Sequence, residues 1–268
     1  RLGFTILFMA PFFIFKHLGE LRYLGIKNLL LSTIAGIFLA MHFILWFESL
    51  NYTSVASSVV LVTLQPLFSF LGGYIFFKEK LTFKSILAGL FALSGSIVIG
   101  WGDFRIGGNA LWGDILALLG AGAVTGYWLF GQGLRKSLSL ITYTFLVYGT
   151  STLTLIIYNL ILGYSFFPYS KQDWLMFILL ALIPTLLGHT LFNWLIKWMN
   201  ATTISMSILG EPVGSSLLAY FILGEIVTVP QWIGGIIIIF GIYIFMQVQS
   251  TTTTKDNKKN SISQENVE

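Results

Sequence analysis

The chain reads as an all-α polytopic membrane protein, and three observations carry that reading. It is 56% hydrophobic and only 10% charged over 268 residues, whereas a soluble domain is about half apolar and a quarter charged. Its mean hydropathy is +0.83. Its apolar residues come in stretches of about 20, the length a helix needs to cross a bilayer, with short polar loops between them. Third, residues 65–95 (QPLFSFLGGYIFFKEKLTFKSILAGLFALSG) align without a gap onto 211–241 (EPVGSSLLAYFILGEIVTVPQWIGGIIIIFG). The pairs Pro66/Pro212, Ser69/Ser215, Leu71/Leu217, Tyr74/Tyr220, Glu79/Glu225, Thr82/Thr228, Gly89/Gly235 and Gly95/Gly241 are then identical. Composition alone would often match the apolar and aromatic pairs, but not Pro, Glu, Thr and two Gly at fixed spacing.

Taken in order, the apolar segments are roughly 2–15, 29–50, 55–77, 83–101, 110–131, 140–163, 173–196, 201–223 and 230–248. The first is short for a span. The loops LNYT, KEKLT, GDFRIGGN, LRKS, YSKQD and LGEIVT hold the turn residues and charges. The tail 249–268 is polar and low in complexity, which predicts a disordered cytoplasmic segment. Charge sets the orientation. With the loop after the first segment inside, Lys16, Arg22, Lys27, Lys78, Lys80, Lys84, Arg135, Lys136, Lys197, Lys255, Lys258 and Lys259 all lie inside. Only Arg1, Arg105 and Lys171 lie outside, the asymmetry expected of a plasma-membrane protein.

That orientation inverts the repeat: KEKLT lies inside and its partner LGEIVT outside. Internal repeats of this kind mark secondary transporters. The units are 1–101 and 110–248. The second has five segments and the first four, so a repeat that matches throughout predicts one more helix ahead of Arg1. Each copy has a proline early in a helix, then (L/F)-x-E-x-x-T, then a helix with spaced glycines. Together with GHTLFNWLIKWMNATTISMSILGEPV (188–213), this resembles the EamA branch of the drug/metabolite transporter superfamily over residues 1–248. The resemblance implies ten helices in two inverted five-helix repeats, a central cavity, and export of amino acids, metabolites or drugs.

Glu211 is the sharpest candidate for chemistry, because the segment map puts it near mid-membrane. A carboxylate there costs roughly 2.5–3.5 kcal/mol on insertion scales, and taking up a proton removes much of that cost. It reads either as a cavity acid that binds substrate or couples to protons, or as a protonated carboxyl that fixes packing. Pro212 beside it removes a backbone donor and frees carbonyls that could line a cavity. Gln65 before Pro66 is its repeat partner, so two opposed cavity positions are expected. His42 and His189 nearly match the repeat at an offset of 147 and lie within spans. Each reads as a proton relay or substrate ligand, or as a neutral ring bonded to a neighbouring helix. Asn193 and Trp46 share their faces one helical turn away. Glu79, Thr82, Glu225 and Thr228 read as structural, with the threonines as N-caps and Thr228/Gln231 as a capping box. Gly89, Gly95, Gly235 and Gly241 read as points of close helix approach. Glu48 and Asp114 lie near span ends and read as solvated.

With no cysteine, disulfides and thiolate metal sites are excluded. There is no P-loop, Rossmann glycine pattern or HExxH, so no cofactor or metal is expected. The net charge of +4 resides in membrane loops, which argues against nucleic acid. The expected partners are a small-molecule substrate, the lipid bilayer and protons. A secondary transporter is the leading function, with a non-transporting scaffold or receptor, or an intramembrane enzyme built on Glu211 and His189, as alternatives.

Overall fold

The computed structural model describes residues 1–101, 108–224 and 226–265. Regular structure among them is helical: α1 (Leu2–Phe12), α2 (Ile26–Ser49), α3 (Val55–Val62), α4 (Gln65–Phe77), α5 (Phe83–Gly100), α6 (Asn109–Leu134), α7 (Leu140–Ile161), α8 (Lys171–Leu180), α9 (Thr190–Leu195), α10 (Ala201–Ile208), α11 (Glu211–Leu218) and α12 (Val229–Glu265). A π turn over Ala181–His189 joins α8 to α9, and another over Ala219–Leu223 extends α11. Eight helices among the described residues are long and apolar enough to cross a membrane. The protein is an all-α, multi-pass membrane protein.

The segment 201–223, expected as one continuous span, is broken at Leu209 and Gly210 into α10 and α11. The cause is Pro212. A proline offers no N–H to the carbonyl four residues back, and its ring crowds that carbonyl; here the carbonyl is that of Ile208, where α10 ends. Pro66 does the same to Val62, where α3 ends. The two copies thus break at repeat-equivalent residues, and their other landmarks match as well. Ser54 Oγ accepts from the Ser57 N–H at 3.1 Å, and Asn200 Oδ1 accepts from the Thr203 N–H at 2.9 Å. The helix after each break stops at a left-handed residue, Lys78 (φ 53°) in one copy and Gly224 (φ 71°) in the other.

Packing follows the same symmetry. α5 lies along α12, while α2 packs on α6 and α7. A Cβ on Gly95 would come within 2.6 Å of the Gly234 carbonyl and 2.8 Å of Ile238, and one on Gly241 within 2.7 Å of Ala92. Since Ala92 and Ile238 are themselves repeat partners, the contact is reciprocal, as at a two-fold axis. The other two glycines differ. Gly89 faces the Phe70 ring at 2.7 Å, whereas Gly235 meets only Val213 at 3.6 Å. Gly235 is therefore not a point of close approach.

Several polar residues are placed differently from expectation. Glu79 does not serve the start of α5: it accepts from Gln132 Nε2 (2.7 Å), Asn200 Nδ2 (3.0 Å) and Thr202 Oγ1 (2.9 Å), tying the end of α4 to α6 and α10. Thr82 caps α5 by accepting from the Ser85 N–H at 3.1 Å. At Thr228 only the glutamine half of the box is seen, with Gln231 Oε1 accepting from the Thr228 N–H at 2.8 Å. Glu225 lies outside the described residues. Glu48 and Asp114 are engaged rather than simply solvated, since Glu48 accepts from the Tyr158 hydroxyl at 2.9 Å and Asp114 from Thr53 and Ser57 at 2.7 and 2.8 Å. Finally, α12 continues to Glu265, into the stretch expected to be disordered from 249. No glycine or proline after Gly241 interrupts it.

Candidate functional site

The two helix breaks meet at one cavity. A hollow of about 440 Å³ is lined by Gln65 at the start of α4 and Glu211 at the start of α11, within the range of small-molecule sites. α2 contributes His42 and Trp46, α6 contributes Val124 and Trp128, and the π turn contributes Pro184 and His189. The π turn is a consequence of Pro184, which cannot donate within the helix, and it changes the helix phase locally. At the offset of 146 that fits the helix ends, the partner of His42 is Gly188 and that of Phe43 is His189. The two histidines are thus not repeat equivalents, yet both reach the same cavity.

Each histidine lies against an indole. His42 stacks on Trp46 with centroids 5.6 Å apart and planes at 25°. His189 stacks on Trp128 at 5.8 Å and 13°. His42 Nδ1 lies 3.0 Å from the Gly120 carbonyl. A carbonyl only accepts, so this nitrogen carries the proton, and in the neutral ring Nε2 is an acceptor. Glu211 is exposed by area, and the surface it presents lines the cavity. Arg1 lines the same space, with Nε donating to Thr185 Oγ1 at 2.6 Å and its guanidinium 4.9 Å from the Phe43 ring centre.

Four of the lining side chains hold a buried polar atom with no hydrogen-bond partner: Trp46 Nε1, Gln65 Oε1, Trp128 Nε1 and His189 Nδ1. Native interiors keep such atoms rare, and each calls for an explanation. Asn193 is not among the lining residues. It is buried and donates through Nδ2 to the hydroxyls of Tyr127 and Tyr148 and to the His189 carbonyl at 2.9 Å, where it holds α6, α7 and α9 together. The sequence reading missed Trp128, because α6 has no motif within the matched repeat.

A second hollow of about 540 Å³ lies between α11 and α12, lined by apolar side chains with Ser216, Gln231 and Tyr243. It is the repeat image of the slot that Phe70 fills over Gly89, since Ser216 stands at the position equivalent to Phe70. Among the described residues no carboxylate, histidine or cation lines it, whereas the first cavity gathers Arg1, His42, His189 and Glu211.

A multi-pass helical bundle with broken helices converging on a largely apolar cavity that holds a few polar and charged groups has the architecture of a membrane transporter. The chain belongs to the EamA-like transporter family, whose model matches residues 1–101 and 111–247. It is 25% identical over 254 residues to the uncharacterized transporter YdfC of Bacillus subtilis, covering 93% of this chain and 79% of that protein. It is 26% identical over 198 residues to the riboflavin transporter ImpX of Fusobacterium nucleatum, covering 72% of this chain and 66% of that protein. A solved crystal structure shares the fold, with a TM-score of 0.74 at 19% identity over 92% of this chain and 87% of that one.

Proposed function

We propose that the chain is a secondary transporter that exports small metabolites across the plasma membrane by alternating access, with its C-terminus in the cytoplasm. The observation that carries this reading is the shared cavity, into which both proline-broken helices deliver their first residues, Gln65 and Glu211. Broken helices in corresponding positions of two inverted halves are how such transporters build a midplane site. Rocking one half against the other then exposes that site to each side in turn. The name of the riboflavin-transporting relative supports a metabolite larger than a simple ion.

Glu211 is the proposed coupling acid, taking up a proton on one side and releasing it on the other. Gln65 holds the equivalent position in the other half and cannot ionise, so coupling is asymmetric. The test is flux in proteoliposomes with and without a pH gradient. Glu211→Gln is expected to keep downhill exchange and lose the response to the gradient. An unchanged response in the variant removes Glu211 from coupling.

A further inference from the structure

We infer that the hollow between α11 and α12 is a binding groove for one phospholipid acyl chain, drawn from the leaflet on the side of the α11–α12 turn. The first half of the chain shows what such a slot is built to hold. There the Phe70 ring lies over Gly89, where a Cβ would come within 2.7 Å of it, and stacks on Phe245 with centroids 6.2 Å apart and planes at 14°. A hydrocarbon side chain of the protein itself thus fills that slot. In the second half Ser216 stands at the position of Phe70 and Gly235 at that of Gly89. Ser216 is too short to cross the gap, and its hydroxyl donates back to the Pro212 carbonyl at 2.8 Å. A Cβ on Gly235 would meet only Val213, at 3.6 Å. The hollow of about 540 Å³ follows from that one exchange of a ring for a hydroxymethyl group.

The walls are accessible and their chemistry selects the occupant. Leu217, Trp232, Ile236, Ile239, Phe240 and Tyr243 all line the groove and are all exposed. Gln231, at the turn end, has Oε1 engaged by the Thr228 N–H and hydroxyl at 2.8 and 3.1 Å. Ordered water needs two to four polar partners, and this wall is mostly aliphatic and aromatic carbon. A gap left unfilled forfeits dispersion contacts on both of its sides. The open side faces the bilayer, whose chains supply hydrocarbon. From Gln231 to Tyr243 the groove follows twelve steps of helix, about 18 Å, against about 15 Å for half of the hydrocarbon core. That length matches one extended chain running from the headgroup level to the midplane. Trp232 stands at the headgroup end, where indoles gather. The bound chain completes the packing of α11 against α12, as Phe70 does for α4 against α5.

The test uses the full chain in phosphatidylcholine nanodiscs that carry a small fraction of phosphatidylcholine with a diazirine in one acyl chain. After irradiation, labelled residues are mapped by peptide mass spectrometry. Groove residues are expected to be labelled at least about threefold more than Leu153 and Ile157, which are exposed on α7 away from the groove, on the scale of the added dispersion contacts. Groove labelling should also saturate as the probe fraction rises, while labelling on α7 grows in proportion. Ser216→Phe gives this half the ring that Phe70 supplies in the other, and should bring groove labelling down to the α7 level. Gly235→Leu fills the same space from the α12 wall and keeps the test decisive if Ser216→Phe fails to fold. Ile233→Phe, exposed on α12 outside the groove, should change nothing. Groove labelling equal to that on α7, labelling that never saturates, or labelling that survives both filling variants overturns the inference. Cross-linking of a second copy through α11 and α12 in place of lipid labelling also overturns it and assigns the groove to a dimer contact. No flux is read, so every outcome leaves the transport reading as it stands.

Discussion

Glu79 and Glu211 are both carboxylates of the repeated region, and their surroundings give them opposite tasks. Glu79 has three side-chain donors around it, from Gln132, Asn200 and Thr202. Glu211 faces the cavity. Glu79→Ala should therefore cost about 1–3 kcal/mol, because three donors lose a charged acceptor at once in a half-buried setting. A lowered thermal midpoint in detergent would register it, and a midpoint equal to wild type would show that the cluster is replaced by water at no cost. Asn193 teaches a similar lesson. One turn from His189, it was a fair candidate for the binding face, but it is buried away from the cavity and its amide nitrogen is engaged by the Tyr127 and Tyr148 hydroxyls and the His189 carbonyl.

At the scale of elements, prolines and glycines decide the architecture. Pro66 and Pro212 end α3 and α10 four residues upstream, which converts two spans into paired half-helices and brings Gln65 and Glu211 to the start of a new helix. Between α5 and α12 the decisive quantity is backbone distance. With little hydrophobic drive between helices in lipid, close van der Waals approach at small residues holds them together. Gly241→Val should destabilise strongly, by about 2 kcal/mol or more, since its Cβ alone would meet Ala92 backbone at 2.7 Å. Gly235→Ala should be neutral or slightly stabilising, because its nearest neighbour is at 3.6 Å and alanine favours helix. Thermal midpoints of the two variants separate these outcomes, and equal losses would contradict the packing described.

For the whole molecule, the prediction concerns direction in the membrane. The chain contains no cysteine, so single introduced thiols report sidedness cleanly. Lys80→Cys should label only from the cytoplasmic side and Ile226→Cys only from outside; labelling of both from one side would end the inverted-repeat topology. Much of the fold was legible from the chain alone, since most span positions and the repeat follow from local hydropathy and motif spacing, whereas the breaks ahead of Pro66 and Pro212 were not, because 55–77 and 201–223 read as continuous apolar spans. The lining of the cavity was partly legible: His42, Trp46, Gln65, His189 and Glu211 stood out as polar or amphipathic groups inside apolar runs, where lipid tolerates them poorly. Trp128 did not, because an indole in an apolar helix looks the same whether it packs or binds. Sequence by itself determined that the chain is a helical membrane protein made of two related halves, because apolar length and repeated motifs are local properties of the chain. Tertiary structure alone decided which polar side chains share a cavity and which satisfy one another, because that depends on helix phase and on neighbours more than a hundred residues away. The repeat from which the two halves were read thus located the paired prolines, and the folded chain broke its helices there and made one cavity of the two breaks.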